Sequence, residues 1–280
     1  MKLSLLCTCW LLLLPFTPGC NRIQSLSFVP VLEGYAESPA NTLLLKKGLR
    51  EISGIRYFQA NELIGINDEE GIVFYIDTRT GKFRRQPFGK KGDYEDLVIT
   101  PAAFYVLKSN GNIHEIDPAS GKEKAVYQRG FPKYMEFESL CYDAPRNRLL
   151  LICKICGKDE PFVNAWEFDC GSKSFSPNPV LTIPWTAIRK MGKDDTIDFH
   201  PSSAAIHPLN GKLYIISSLG KKILVTCNLN GELQSVHQIN PDQFQQPEGI
   251  CFAPNGDMYV SNEGRQSKAS ILYFPYQPKP

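Results

Sequence analysis

The chain has 280 residues, of which 42% are hydrophobic, 21% charged and 11% aromatic, a composition that excludes a disordered, collagen-like or coiled-coil polypeptide. Thirty-one Lys and Arg against 29 Asp and Glu leave a formal charge of +2. The basic pairs Lys46-Lys47, Lys90-Lys91 and Lys221-Lys222 are scattered rather than gathered into a stripe, so nucleic acid is not an expected partner.

The chain opens with MKLSLLCTCWLLLLPFTPGC: one early Lys, a largely apolar run from Leu5 to Phe16 and small residues before Cys20. This is the build of an export signal and is too short to span a bilayer. Thr17-Pro18-Gly19-Cys20 resembles a lipoprotein box, with Thr where Leu is usual. The expected organisation is therefore a signal peptide over 1–19, a lipidated Cys20 with a spacer over 20–40, and a folded domain over 41–280; plain secretion is the alternative. The protein is then expected at the cell envelope as a monomer, meeting the membrane only through its lipid anchor.

Six cysteines remain beyond Cys20. Cys153 and Cys156 look like half a zinc knuckle, but no second CxxC accompanies them and RLLLICK reads as a strand. Residues three apart on a strand lie about 10 Å from one another, beyond disulfide reach. Buried thiols are favoured, ahead of a cross-strand disulfide and of zinc.

Five matching segments follow along the chain: ISGIRYF at Ser53, YEDLVIT at Glu95, FESLCYD at Glu138, PSSAAIH at Ser202 and PEGICFA at Glu248. Their spacings of 42, 43, 64 and 46 residues are those of a repeat architecture. Each opens a unit of short strands separated by Gly, Asn or Pro turns. The second strands are ELIGIND, AFYVLKS, RLLLICK, KLYIISS and DMYVSNE, and the third are IVFYIDT, NIHEIDP, NAWEFDC, ILVTCNL and SILYFPY. Four antiparallel strands at this period make a propeller blade. The fifth unit ends with three strands, and NTLLL, ahead of the first unit, is the spare strand that closes the ring. An all-β, five-bladed propeller of four-stranded antiparallel blades is expected, with a sixth blade in the long third interval as the alternative. That interval, PNPVLTIPWTAIRKMGKDDTIDF, holds a helix start at Pro184-Trp185 and is either a lid or decoration.

In a propeller the start of strand one and the end of strand two meet at one mouth of the central channel. Strand one starts with Ser53, Glu95, Glu138, Ser202 and Glu248; strand two ends with Asp68, Ser109, Lys154, Ser218 and Glu263. Glu51, Asp93 and Glu136 thicken the rim. Carboxylates crowded about an axis repel unless a cation compensates. An all-oxygen set suits calcium, with Glu95, Glu138, Glu248, Glu263 and Asp68 as the candidate ligands. The competing account is that Lys108, Lys154 and Arg265 neutralise the acids as a structural network. Ser53, Ser202, Lys154 and His200, which precedes Pro201-Ser202, are candidate ligand contacts. His114, His207 and His237 are expected to have no acidic partner in register. There is no GxSxG, phosphate-binding Gly loop, HExxH or EF-hand spacing.

Taken in order, EISGIRY, GDYEDLVI with YVLKSNGNIHEID, FESLCYD with LLLICK, HPSSAAIHP with GKLYIISS, and QPEGICFAPNGDMYVSNEG resemble the SdiA-regulated (YjiK-like) propeller family over nearly all of the chain after residue 40. The resemblance implies a five-bladed, calcium-binding, envelope-anchored protein distantly similar to NHL-repeat and phytase-like propellers. Ser203-Ala204 stands where Gly-Ile is usual, and Cys156 is a second departure. Three functions compete: a calcium-organised module that binds or senses a small-molecule or protein ligand, a metal-dependent hydrolase of lactones or phosphate esters with His200 or a spare Glu as base, and a purely structural surface scaffold in which the carboxylates are silent.

Overall fold

A computed structural model describes residues 26–157, 161–265 and 267–278; the leader and Cys20 lie outside the described residues. Each repeat folds into one antiparallel sheet. Blade 1 comprises Ile52–Gln59, Glu62–Asn67, Ile72–Asp77 and Phe83–Pro87, and blade 2 comprises Tyr94–Ile99, Phe104–Lys108, Ile113–Ile116 and Glu123–Tyr127. Blade 3 starts with Glu136–Asp143, Arg148–Ile155 and Phe162–Asp169, and blade 4 comprises Pro201–Ile206, Leu213–Ser217, Ile223–Cys227 and Leu233–Ile239. Blade 5 has Pro247–Phe252, Met258–Asn262 and Ser270–Phe274, and Asn41–Leu44 supplies its outer strand, so that the ring is closed by the chain's own beginning. The innermost strand of each blade packs against that of the next, and the fifth against the first. The architecture is the expected five-bladed propeller.

What holds it is apolar packing between blades. Alternating strand residues place large side chains on both faces of each sheet. The buried residues accordingly fall into five clusters, one at each interface between neighbouring blades. The blade 2–blade 3 cluster, for example, stacks Phe137, Leu149 and Trp166 against Tyr105 and Leu107.

Among the described residues the long third interval holds no sixth blade. Its outer strand is broken in two, Ser174–Phe175 and Leu181–Pro184, both paired with Phe162–Asp169. Pro184 precedes the helix Trp185–Gly192, whose C-cap Lys193 is left-handed. Ile188, Ile197 and Phe199 of this stretch are fully buried in the blade 3–blade 4 cluster. The insertion is therefore a wedge in the core rather than a lid or an ornament.

The stretch read as a spacer also does more than expected. Phe28–Val29 adds a fifth strand to the edge of blade 4, and Phe28, Leu32 and Tyr35 are buried in the blade 4–blade 5 cluster. Three aromatic or aliphatic side chains within eight residues were the available signal. Cys141, Cys227 and Cys251 are buried thiols, and burial pushes each up to about 12.

Candidate functional site

The five motif residues share a backbone feature that sequence alone does not display. In every innermost strand the pairing with strand two slips at the motif: between Ile52 and Ile55, Tyr94 and Asp96, Phe137 and Ser139, Pro201 and Ser203, and Pro247 and Gly249. Each of Glu95, Glu138, Ser202 and Glu248 is thus the extra residue of a β-bulge, and Ser53 lies in the irregular step of blade 1. A bulge re-aims the side chain it carries. At Glu95, Glu138 and Glu248 the bulges turn what would be ladder positions toward one mouth of the channel.

Glu95, Glu138 and Glu248 are brought together there. Burial pushes the Glu95 carboxyl up to about 9, and the neighbouring Glu138, Asp93 and Glu248 add to it. Burial and then Glu248 push Glu138 up to about 8. Glu248 is raised by burial as well, although Gln246 donates to its Oε1 at 2.5 Å. Lys154 is the shared neighbour of all three. Its ammonium is ion-paired with Glu138 Oε1, and although burial works to lower its pKa, Glu138, Glu248 and Glu95 together hold it above the ordinary lysine value.

Glu263 and Asp68 sit in an adjoining arc. Burial, then a hydrogen bond shared with Glu51, raises Glu263 to about 7, while Arg265 Nε pairs with it at 3.1 Å. Burial, with Glu51 and Glu69, raises Asp68 to about 6. Two carboxylate oxygens, Glu138 Oε2 and Asp68 Oδ1, are buried without a hydrogen-bond partner.

The other predicted contacts divide. His200 borders the mouth, its Nδ1 3.3 Å from the Lys154 carbonyl and its ring edge-on to Trp185 at 5.0 Å. Ser202 is turned inward: 2% exposed, it donates to the Pro247 carbonyl at 2.6 Å. Ser53 is buried, and its carbonyl accepts from Ser261 Oγ at 3.0 Å. Lys108 lies over the Tyr94 ring at 5.2 Å instead of on a carboxylate. One histidine differs from expectation: His114 does have an acidic partner, Glu123 at 2.5 Å, far from the mouth.

In blades 2 and 4 the residue one step beyond the motif position laces neighbouring blades together, whereas in blade 3 the Ser139 hydroxyl is buried without a partner. Asp96 Oδ2 accepts the Leu140 amide at 2.8 Å, and Ser203 Oγ the Ile250 amide at 3.1 Å. Where this residue is glycine, the next blade fills the space, since a Cβ on Gly54 would lie 2.1 Å from Asp96 Oδ1 and 2.8 Å from its Cα. Gly54→Ala is expected to cost about 1–3 kcal/mol as an overpacking change, read as a lower midpoint in urea unfolding at unchanged slope.

Beneath this layer Arg56 fills the channel axis. Its Nη1 donates to the carbonyls of Ile55 at 2.6 Å and Ile250 at 3.2 Å, and its Nη2 to Asp96 Oδ2 at 2.7 Å, to the Leu140 carbonyl and to Ala204 O at 3.4 Å. One guanidinium therefore engages all five blades. Sequence reading missed it, yet the repeat held the signal: three residues past the motif position the other units carry Val98, Cys141, Ala205 and Cys251, and only this one carries a charge.

No protein-family model matches the chain, and no curated protein does. Solved structures match its fold. The PQQ-bound aldose sugar dehydrogenase of Streptomyces coelicolor is 13% identical with a TM-score of 0.51, covering 85% of this chain and 99% of that one. A chain of a nidogen/laminin complex is 10% identical with a TM-score of 0.51, covering 81% and 84%. A luciferin-regenerating enzyme is 12% identical with a TM-score of 0.49, covering 85% and 98%. At these identities the first two likenesses speak for the fold alone, a β-propeller, which enzymes and binding proteins share.

The mouth's ligand chemistry fits a hard cation: its acids offer oxygen only, and Glu138 Oε2 is buried with no hydrogen-bond partner. Among the described residues, no three His, Cys, Asp or Glu side chains already form a metal-holding group. Much of the compensating charge comes instead from Lys154.

Proposed function

We propose that this protein is an envelope-anchored propeller that binds or senses a ligand at its acidic mouth, with calcium organising that mouth. The supporting observation is the delivery of Glu95, Glu138 and Glu248 by bulges to one point, where Lys154 alone does not offset them and a buried Glu138 oxygen has no partner. Glu95, Glu138 and Glu248 would hold the ion, with Glu263 and Asp68 in the adjoining arc. Bound calcium would supply charge compensation and an open coordination position for a ligand oxygen. Lys154 competes for the same carboxylates, so its ammonium must swing aside as the ion enters. His200, fixed beside the Lys154 carbonyl, is placed to meet the ligand. Cys20 would tether the domain to the membrane through lipid.

Calcium titration of thermal unfolding tests the reading. Saturating calcium at a hundredfold excess over Kd is expected to stabilise the fold by about 2.7 kcal/mol, and Lys154→Met to bind calcium about tenfold more tightly, a change of about 1.4 kcal/mol. A melting temperature indifferent to calcium in both proteins would overturn it. Hydrolysis of lactones or phosphate esters that disappears with chelator and in Glu248→Gln would replace the binding module by a metal-dependent hydrolase.

A further inference from the structure

At the opposite face of the propeller, in the crevice where blade 5 meets blade 1, an open cleft of about 270 Å³ is lined by the aliphatic Leu43 and Ile271 and by side chains of two further kinds. The first kind is aromatic. Tyr259 and Tyr273 lie with ring centroids 5.0 Å apart and planes inclined by 35°, and Tyr57 continues the row 6.5 Å from Tyr259 at the same 35°. All three are only partly buried; Tyr259 and Tyr273 line the cleft as a stepped pair, and Tyr57 stands beside it. The second kind is polar and nearly neutral in sum. Asn41 comes from the closing strand, Asn61 from the first turn of blade 1, and Thr78 and Arg79 from its third turn. Arg79 is held by Asp77 at 3.0 Å yet remains 68% exposed. Among the described residues, the side-chain amides of Asn41 and Asn61 have no hydrogen-bond partner within the chain.

We infer that this cleft is a saccharide-binding site, independent of the acidic mouth. A pyranose ring presents a flat face of C–H groups and an equatorial belt of hydroxyls. Aromatic faces take up the C–H side, because their electron-rich surface attracts the slightly positive hydrogens while both partners lose water. Planar amides and guanidinium groups reach two adjacent hydroxyls at once, the amide offering both a donor and an acceptor and the guanidinium donors only. The row of tyrosines suits a chain of such rings better than a compact charged metabolite. The volume, below the roughly 300–1,000 Å³ of pockets for drug-sized ligands, suits one or two sugar units with the remainder of a glycan running along the face. With Tyr259 and Tyr273 on blade 5, Asn41 on the closing strand, and Asn61 and Arg79 on blade 1, the site is also a product of ring closure.

The test is saturation-transfer NMR followed by calorimetry on the mature full-length chain with neutral cello-, xylo-, laminari-, malto- and chito-oligosaccharides. At least one series is expected to bind saturably. Tyr259→Ala should abolish that binding, and the double change Asn41→Ala, Arg79→Ala, confined to exposed side chains and checked for an unchanged melting temperature, should weaken it at least tenfold. Glu248→Gln at the far mouth should leave it within twofold. Absence of saturable binding to every series would overturn the inference, as would binding that survives the double change undiminished.

Discussion

Replacing Arg56 by Met is expected to give the largest loss of stability of any single substitution in the channel, about 3–5 kcal/mol, the range for breaking a buried ion pair from one side. Asp96 is fully buried and the Arg56 side chain is 12% exposed. Without the guanidinium, the Asp96 carboxyl, already raised to about 6 by burial against the pull of Arg56, has no compensating charge, and carbonyls of four blades lose a donor. For a domain of about this size each kcal/mol moves the melting temperature by roughly 2–4 °C, so the expected fall is on the order of 10 °C. Arg56→Lys keeps the charge but cannot fork to several carbonyls and should fall in between. A melting temperature within roughly 2 °C of wild type for Arg56→Met would show that the guanidinium does not hold the blades together.

The second large effect is on pH dependence. Glu95, Glu138, Glu263 and Asp68 are raised to about 9, 8, 7 and 6. Each folded-state value lies above that of the unfolded chain, so the native state holds these protons more tightly. The associated stability is fully present below the unfolded carboxylate range near pH 4, and it is lost as pH rises through the folded values toward about 9. Metal-free protein should therefore melt progressively lower between pH 5 and about pH 9, whereas most proteins are near their maximum between roughly pH 5 and 8. The double change Glu95→Gln, Glu138→Gln removes two of the acids that burial raises and should flatten the slope. Under the calcium reading, added calcium should rescue most at the alkaline end, where the carboxylates are charged. Differential scanning calorimetry across this range decides it: a profile that rises toward pH 8 without metal would contradict the crowded-carboxylate description.

The repeat made the architecture legible. Five recurrences of one apolar segment, with turn residues at fixed distances, specify blade number, strand order and the closing role of residues 41–44, because each blade solves the same packing problem locally. The identity of the mouth residues was legible for the same reason. Their energetic state was not. Whether Lys154 would stand among Glu95, Glu138 and Glu248 or point to solvent depends on backbone slips that no residue type announces. Ser202 shows the limit from the other side: it occupies a motif position, but its hydroxyl is spent on the Pro247 carbonyl. The tyrosine cleft was invisible because Asn61 and Arg79 come from one end of the chain and Tyr259 and Tyr273 from the other, and they meet only when the ring closes.

Arg56 also divides the molecule electrically and sterically. Beyond it lies a vestibule of about 190 Å³ walled by Tyr57, Ile99, Tyr142, Ile206 and Phe252, whereas the acids lie on its near side. The axis is thus a stoppered tube and not a conduit. An ion admitted at one end must leave by the same end, and the two faces of the disc can evolve separate partners without one trespassing on the other.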